Sequence, residues 1–290
     1  FRFDDYNHKP AHLIKHVGVT KKKKRVFYEP EEPFKKYLKK IQKSFARYRA
    51  DFFNENQFAY IEGRNAKGAL RGLNSFKYSL KIDLKDYFNS IRKSDITDLG
   101  YPFIATNSKQ EKLLDLLFHF STRNGRVYLG NPMSSVYANL VLIEPLKEFI
   151  PWLKELGMEV RIYADDFYIA SHNWIEPSLK YEVVDKLNSI LKAHGLIVKV
   201  NPKKVYTASN NKRSFCGLVI NHLDQITIKR SKYYEIKRYF YHIRSGKPVN
   251  EGRFIGNLGY GLYSDESGKL PKLLKNNIVN ENVLDVLTRR

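Results

Sequence analysis

Asp165 and Asp166 stand side by side between two short apolar runs, Val160–Tyr163 and Phe167–Ala170. Both runs have strand character, and only Ala164-Asp165-Asp166 separates them. They read as a hairpin with carboxylates in its turn. Asp favours turns, so a polar turn alone accounts for the pair. Adjacent acids between apolar strands nevertheless repel unless a cation neutralises them. Asp83 ends another alternating run, Lys77–Leu84, in which Leu80, Ile82 and Leu84 share one side, and Asp86 follows it. If the two strands pair in one sheet, Asp83 and Asp165 face each other. Carboxylates from separate strands suit a pair of Mg²⁺ ions about 3.5–4 Å apart, which clamp the attacking and leaving oxygens of an in-line phosphoryl transfer. Mg²⁺ takes few carboxylates and completes its shell with substrate phosphates, which matches so sparse a ligand set.

The rest of the composition points to an anionic partner. Among 290 residues, 51 are Lys or Arg and 30 are Asp or Glu, a net charge of +21. Such an excess bears on solubility and partners rather than on fold. The cations cluster at Lys21-Lys22-Lys23-Lys24-Arg25, at Lys35, Lys36, Lys39, Lys40 and Lys43, and at Lys229, Arg230, Lys232, Lys237 and Arg238. One such run reads equally well as a solvated face. Three of them favour phosphate contact, with Lys22, Lys24, Lys36, Lys40, Lys43, Lys229, Arg230, Lys237 and Arg238 as the candidate nucleic-acid contacts. The 20 Tyr and 18 Phe offer rings for base stacking. A single cysteine, Cys216, excludes an internal disulfide framework and a Cys-rich zinc module. Mean hydropathy is −0.50, and no apolar run approaches the roughly 20 residues of a membrane span. The expectation is a cytoplasmic protein with no membrane partner.

The elements that must position these residues follow from periodicity. Phe34, Leu38, Ile41, Phe45 and Tyr48 recur at helical spacing with lysines opposite, which predicts an amphipathic basic helix. Gln110–Thr122 and Pro132–Leu146 read as helices, the second entered through Gly130-Asn131. Tyr181–Ala193 reads as a helix stopped near Gly195. Leu196–Val200, Phe215–Ile220 and Gln225–Lys229 read as strands, and Lys232–Ile243 as a basic helix. The mixed order predicts an α+β fold. No internal repeat is visible, and Asn250–Gly252 is the turn-rich stretch that reads as a domain edge.

Tyr163-Ala164-Asp165-Asp166 between strands resembles the catalytic signature of reverse transcriptases. Lys81-Ile82-Asp83-Leu84-Lys85-Asp86-Tyr87-Phe88 is similar to the first palm motif of that family. Leu129-Gly130-Asn131-Pro132-Met133-Ser134-Ser135 with Ala138-Asn139-Leu140 is similar to the second. His194-Gly195-Leu196 through Asn201-Pro202-Lys203-Lys204 resembles the segment after the catalytic hairpin. Phe215-Cys216-Gly217-Leu218-Val219-Ile220 resembles the primer-grip hairpin, and Arg25-Val26-Phe27-Tyr28-Glu29-Pro30 the fingers motif of bacterial enzymes. Tyr233 to Lys247 and Phe254 to Asp265 resemble the thumb of retron-type reverse transcriptases. Two retron hallmarks stand altered. Asn65-Ala66-Lys67-Gly68-Ala69 has Ala where His is usual, and Phe215-Cys216-Gly217 replaces Val-Thr-Gly. Defence-associated reverse transcriptases of bacteria resemble the chain equally well.

The resemblance implies a right-hand polymerase fold: fingers, a palm with an antiparallel sheet and flanking helices, and a small helical thumb. It places the fingers at 1–76, the palm at 77–100 and 129–229, a fingers–palm connection at 101–128 and the thumb at 230–290. It implies that Asp83, Asp165 and Asp166 are catalytic and hold two Mg²⁺ (or Mn²⁺) ions, with the Leu84 carbonyl as a further ligand. Phe88 would lie under the incoming sugar and reject a 2′-hydroxyl. Arg25 would grip the triphosphate, by a bidentate fork. Lys204, or Lys203, would protonate the pyrophosphate. Gly130 and Pro132 would shape the turn that contacts template and nucleotide, with Leu129 beside the nucleotide. Leu129 stands where most retron-like enzymes have Gln; diversity-generating enzymes also carry an aliphatic residue there, which implies lowered fidelity or an unusual template rule. Phe215, Cys216 and Gly217 would form the primer grip. Tyr239 and Tyr241 are further candidates for stacking.

The implied function is RNA-directed DNA synthesis on a structured non-coding RNA, from dNTPs to a DNA product, in bacterial antiphage defence. An effector protein or a second copy is an expected partner. Residues 221–290 suffice for a thumb but not for an RNase H or endonuclease domain, so a polymerase without its own mobility machinery is expected. RNA synthesis or terminal transfer on the same palm stays open, and so does an inactive palm acting as an RNA-binding scaffold.

Overall fold

A computed structural model describes residues 13–19, 24–48, 53–96, 98, 108–207 and 213–288. The basic helix α1 spans Phe34–Tyr48, as its periodicity predicts, with Leu38 fully buried and Lys36, Lys40 and Lys43 exposed. An antiparallel hairpin precedes it, β1 (Leu13–Val19) and β2 (Lys24–Pro30), in register from Leu13 opposite Pro30 to Val19 opposite Lys24. After the short helix α2 (Ala66–Leu70) comes β3 (Tyr78–Lys85), which buries Leu80, Ile82 and Leu84 and leaves Asp83 half-buried. The single turn α3 (Tyr87–Ser90) follows, then α4 (Ser108–Ser121).

The predicted helix Pro132–Leu146 is two helices, α5 (Ser134–Leu140) and α6 (Ile143–Glu155). Pro145 has no N–H to give the carbonyl of Val141, so an unbroken helix would lose a rung there. The chain restarts instead, and Pro145 falls in the first turn of α6, where no donor is needed. The acidic hairpin is β4 (Met158–Tyr163) and β5 (Asp166–Ser171), so Asp166 opens a strand rather than sitting in the turn. Helix α7 begins earlier than predicted, with Pro177 at its N-terminus, and spans Pro177–Ala193. Its exit corrects the predicted strand Leu196–Val200. The Leu196 N–H donates to the Leu191 carbonyl (2.8 Å) and the Gly195 N–H to that of Lys192 (3.0 Å), a Schellman cap. Leu196 is committed to the helix end, and β6 runs Lys199–Thr207.

The predicted strand Phe215–Ile220 is a hairpin, β7 (Ser214–Phe215) and β8 (Leu218–Ile220), because Cys216 (φ 47°) and Gly217 (φ 86°) turn the chain. Then come β9 (Ile226–Ile228), α8 (Arg230–Arg244), α9 (Glu251–Ser264), α10 (Lys269–Lys275) and α11 (Glu281–Thr288). The strand order is β4-β5-β3-β6 in the central sheet and β7-β8-β9 in the small one.

Two compact units are found: the described parts of Phe1–Asn65, Lys81–Ile169 and Glu176–Lys203, and those of Ala66–Leu80, Ala170–Ile175 and Lys204–Arg290. In the first, α6 packs against β4 and α7 around Phe149, Leu153, Phe167 and Leu187. In the second, α9 packs on α8 and β9, with Phe240 and Phe254 buried edge to face. The second unit runs unbroken through Asn250–Gly252, so no domain edge lies there. Asn250 is a helix cap whose Oδ1 accepts the Arg253 N–H at 2.9 Å. Among the described residues no helix is long and apolar enough to cross a membrane.

Candidate active site

Ala164 and Asp165 make the β4–β5 turn, and Ala164 is left-handed (φ 56°) while 5% exposed. That conformation costs an L-residue roughly 1–2 kcal/mol, and surrounding contacts must hold it. One such contact reaches β3: the Leu84 N–H donates to the Asp165 carbonyl at 2.9 Å. Asp83, next to Leu84, is thereby held beside the turn, as strand pairing required. Asp83, Asp165 and Asp166 are all half-buried, and Leu84 is fully buried. Just beyond β3 the buried Tyr87 hydroxyl donates to the Ala138 carbonyl at 2.6 Å, which ties α3 to α5. Burial pushes this phenol well above its ordinary range, and the charges of Asp165 and Asp95 add to the shift.

Among the described residues no three His, Cys, Asp or Glu are drawn together tightly enough to enclose a metal ion by themselves. The donors beside the turn are hard carboxylate oxygens on adjacent strands. They fit a divalent cation whose remaining ligands come from substrate phosphate and water.

Phe88, Leu129 and Gly130, singled out separately in the sequence, line one open cleft of about 350 Å³. The Tyr28 N–H donates to the Leu129 carbonyl at 2.8 Å. A Cβ at Gly130 (φ 102°) would lie 2.1 Å from the Tyr28 carbonyl oxygen, so only glycine permits this approach. The loop is pinned further along: Asn131 Oδ1 accepts the Met133 N–H (2.8 Å), and the Ser134 hydroxyl donates to the Tyr128 carbonyl (2.6 Å). Four other residues line the cleft, Lys35, Lys39, Gln42 and Tyr60; sequence reasoning placed the two lysines only in a basic cluster and missed Gln42 and Tyr60. The first three recur at i, i+4 and i+7 on α1, a helical stripe that the lysine-rich sequence hides. Tyr60 is left-handed (φ 59°) and 49% exposed. Its loop is held by the Arg64 guanidinium, which donates to the Gln57 carbonyl (2.8 Å), and by Asn139 Nδ2, which donates to the Ala59 carbonyl (2.7 Å). Burial lowers the pKa of Arg64.

The remaining candidates lie elsewhere. Lys22 falls outside the described residues. Lys24 and Arg25 lie on β2 and Lys204 on β6, with side chains outside the described set. Lys36, Lys40 and Lys43 are on the exposed face of α1, and Lys35 pairs with Glu29, which raises its pKa. In the second unit, Phe215 is buried and the Tyr260 hydroxyl donates to the Cys216 carbonyl at 3.3 Å. Lys229, Arg230, Lys237 and Arg238 are all exposed. Arg230 lies over the Tyr234 ring (5.5 Å) and lowers that phenol's pKa by hydrogen bonding. Of the two proposed stackers, Tyr241 is 62% exposed, whereas Tyr239 is half-buried against Phe254.

The sequence profile "Reverse transcriptase (RNA-dependent DNA polymerase)" matches residues 9–229. The chain is 27% identical over 220 residues to the retron Ec73 reverse transcriptase of Escherichia coli, covering 70% of this chain and 68% of that protein. It is 24% identical over 233 residues to the retron Ec83 reverse transcriptase of the same organism, covering 75% and 72%. Among solved structures, apo telomerase from Candida tropicalis shares the fold at a TM-score of 0.55 and 11% identity, over 92% of this chain and 60% of that one. The same telomerase lacking its C-terminal domain gives 0.51 at 14% identity, over 77% and 56%. The chain thus spans 56–60% of those telomerase chains, which bear on fold alone. The profile match, the right-hand polymerase fold it shares with these structures and the acidic turn beside β3 agree: this chain belongs to the reverse transcriptase family, the RNA-dependent DNA polymerases.

Proposed function

We propose that the chain copies a dedicated, structured non-coding RNA into DNA by two-metal phosphoryl transfer, in the service of bacterial antiphage defence. The observation that carries the chemistry is the Leu84–Asp165 hydrogen bond, which sets Asp83 beside the acidic turn. The retron type of the relatives supports the dedicated template, and the defence role rests on that same context.

On this reading Asp83 and Asp165 hold two Mg²⁺ ions, and Mn²⁺ can replace them, while Asp166 steadies the pair. Bound there, divalent cations would polarise phosphate oxygens and offset the charge that develops during transfer. The chain's own residues do the placing. The Ala164–Asp165 turn, anchored to β3, fixes the carboxylates. Tyr87 anchors the helical turn that carries Phe88, whose ring fills the space of a 2′-hydroxyl and so selects dNTPs. Leu129 and Gly130, fastened to Tyr28, form the surface against which the nascent base pair lies. Arg25 takes the triphosphate, and Lys204 gives the pyrophosphate its proton.

The test is incorporation of labelled dNTPs and NTPs by the purified protein in Mg²⁺, with co-purifying nucleic acid retained. RNase-sensitive dNTP incorporation is expected, lost by about 10²-fold or more in Asp165→Asn, with the melting temperature little changed. Incorporation of NTPs alone, or full activity in both Asp83→Asn and Asp165→Asn, overturns the reading.

A further inference from the structure

Helix α1 turns two kinds of residue in two directions. Lys36, Lys39, Lys40 and Lys43 are exposed; the stripe of Lys35, Lys39 and Gln42 lines the open cleft with Phe88 and Leu129. Gln42 is held in a defined orientation. Its Nε2 donates to the Ser135 hydroxyl at 2.9 Å, and that hydroxyl donates to the Pro132 carbonyl at 3.1 Å. Ser135 is 8% exposed. A hydroxyl has one proton, and Ser135 spends its own on Pro132, so towards Gln42 it can only accept. This settles which way the amide points: nitrogen to Ser135, with Oε1 left as the acceptor on the cleft wall.

We propose that Gln42, steadied by Ser135, reads the 2′-hydroxyl of the templating RNA strand and so sets the preference for RNA over DNA as template. The inference rests on the polymerase reading above and deepens it. Phe88 excludes a 2′-hydroxyl from the incoming sugar, so the ribose hydroxyl at an RNA-templated pair belongs to the template. Phe88 and Leu129 present apolar surface and cannot recognise it. A cation cannot recognise it selectively either, because Lys39 would meet a phosphate that both template types carry. A neutral acceptor in fixed orientation matches a hydroxyl donor, and the 2′-hydroxyl is the group that distinguishes RNA from DNA.

The experiment extends one DNA primer on an RNA and a DNA template of identical sequence, and measures kcat/KM for the next dNTP on each. In Gln42→Leu, efficiency on RNA should fall about threefold to tenfold further than on DNA, the worth of one neutral hydrogen bond. Ser135→Ala frees the amide and should move the ratio the same way by less. It also serves as the second variant if Gln42→Leu melts early. Equal losses on both templates, a larger loss on DNA, or an unchanged ratio in both variants overturns the proposal. Wild-type protein inactive on both templates overturns the polymerase reading itself, and this inference with it.

Discussion

Gly130 and Gly217 both sit at left-handed φ, 102° and 86°, and their surroundings are opposite. At Gly130 an added Cβ would meet the Tyr28 backbone at 2.1 Å; at Gly217 it would meet nothing within 4 Å. The first glycine is required by space and the second by conformation alone. The contrast extends to their regions. Around the cleft, backbone lies on backbone, and Asn131, Ser134 and Ser135 are all engaged in hydrogen bonds that fix the loop. Around α8, cations stand on an exposed helix face. The first region is built for position and the second for charge. Position fails abruptly when disturbed, whereas charge fails in increments.

Gly130→Ala should therefore have the largest structural effect, because strain at φ and the steric clash add. A loss of about 2–4 kcal/mol of stability is expected, with the Tyr28–Leu129 hydrogen bond broken and dNTP incorporation reduced. Gly217→Ala should cost only the left-handed conformation, about 1–2 kcal/mol. Denaturant melts of both variants check the pair. Equal destabilisation would show that the close approach to Tyr28 does not constrain the cleft.

Between these two falls Asp265, which anchors the second unit internally. Burial pushes its carboxyl up, but hydrogen bonds from Ser267, the Leu270 N–H and Thr227 outweigh burial and hold the pKa below the ordinary 3.8. A carboxyl depressed in the folded state stabilises fully above its unfolded pKa. It loses that contribution as pH falls through the folded value. Asp265→Ala should cost about 2–3 kcal/mol at neutral pH, and the gap to wild type should narrow below pH 3.8. Melting temperatures at pH 7 and pH 3 measure it. A constant gap would mean that Asp265 acts by shape rather than charge.

The legibility of the sequence follows the same divide. Elements fixed by local periodicity were readable: α1 runs over the predicted Phe34–Tyr48, and the alternation of Leu80, Ile82 and Leu84 located β3. The acidic turn was readable because two apolar strands frame it. Elements fixed by one backbone bond were not. The break before α6 depends on a donor that Pro145 lacks, and the late start of β6 depends on Leu196 serving the end of α7. The cleft wall was legible only in part. Phe88, Leu129 and Gly130 belong to recognisable motifs, but Gln42 gains its role from Ser135, 93 positions away. Pairing at that range leaves no trace in a hydrophobic pattern.

The smallest effect is also the sharpest test of a region built for charge. Lys237 and Arg238 are exposed on α8, and if they meet phosphate, binding releases counterions. Replacing each by Ala should lower the slope of log affinity against log salt by about 0.7–0.9 for every phosphate left unneutralised, with little change in melting temperature. Arg230 is a poorer choice, because it lies over Tyr234 and its removal also strips that ring of its cation. The control is Gln42→Leu, a neutral change in the cleft, which should leave the salt slope where it was. A slope that Lys237→Ala and Arg238→Ala leave unmoved would make this face of α8 merely solvated. The positive field of the chain would then have to act through the other basic clusters.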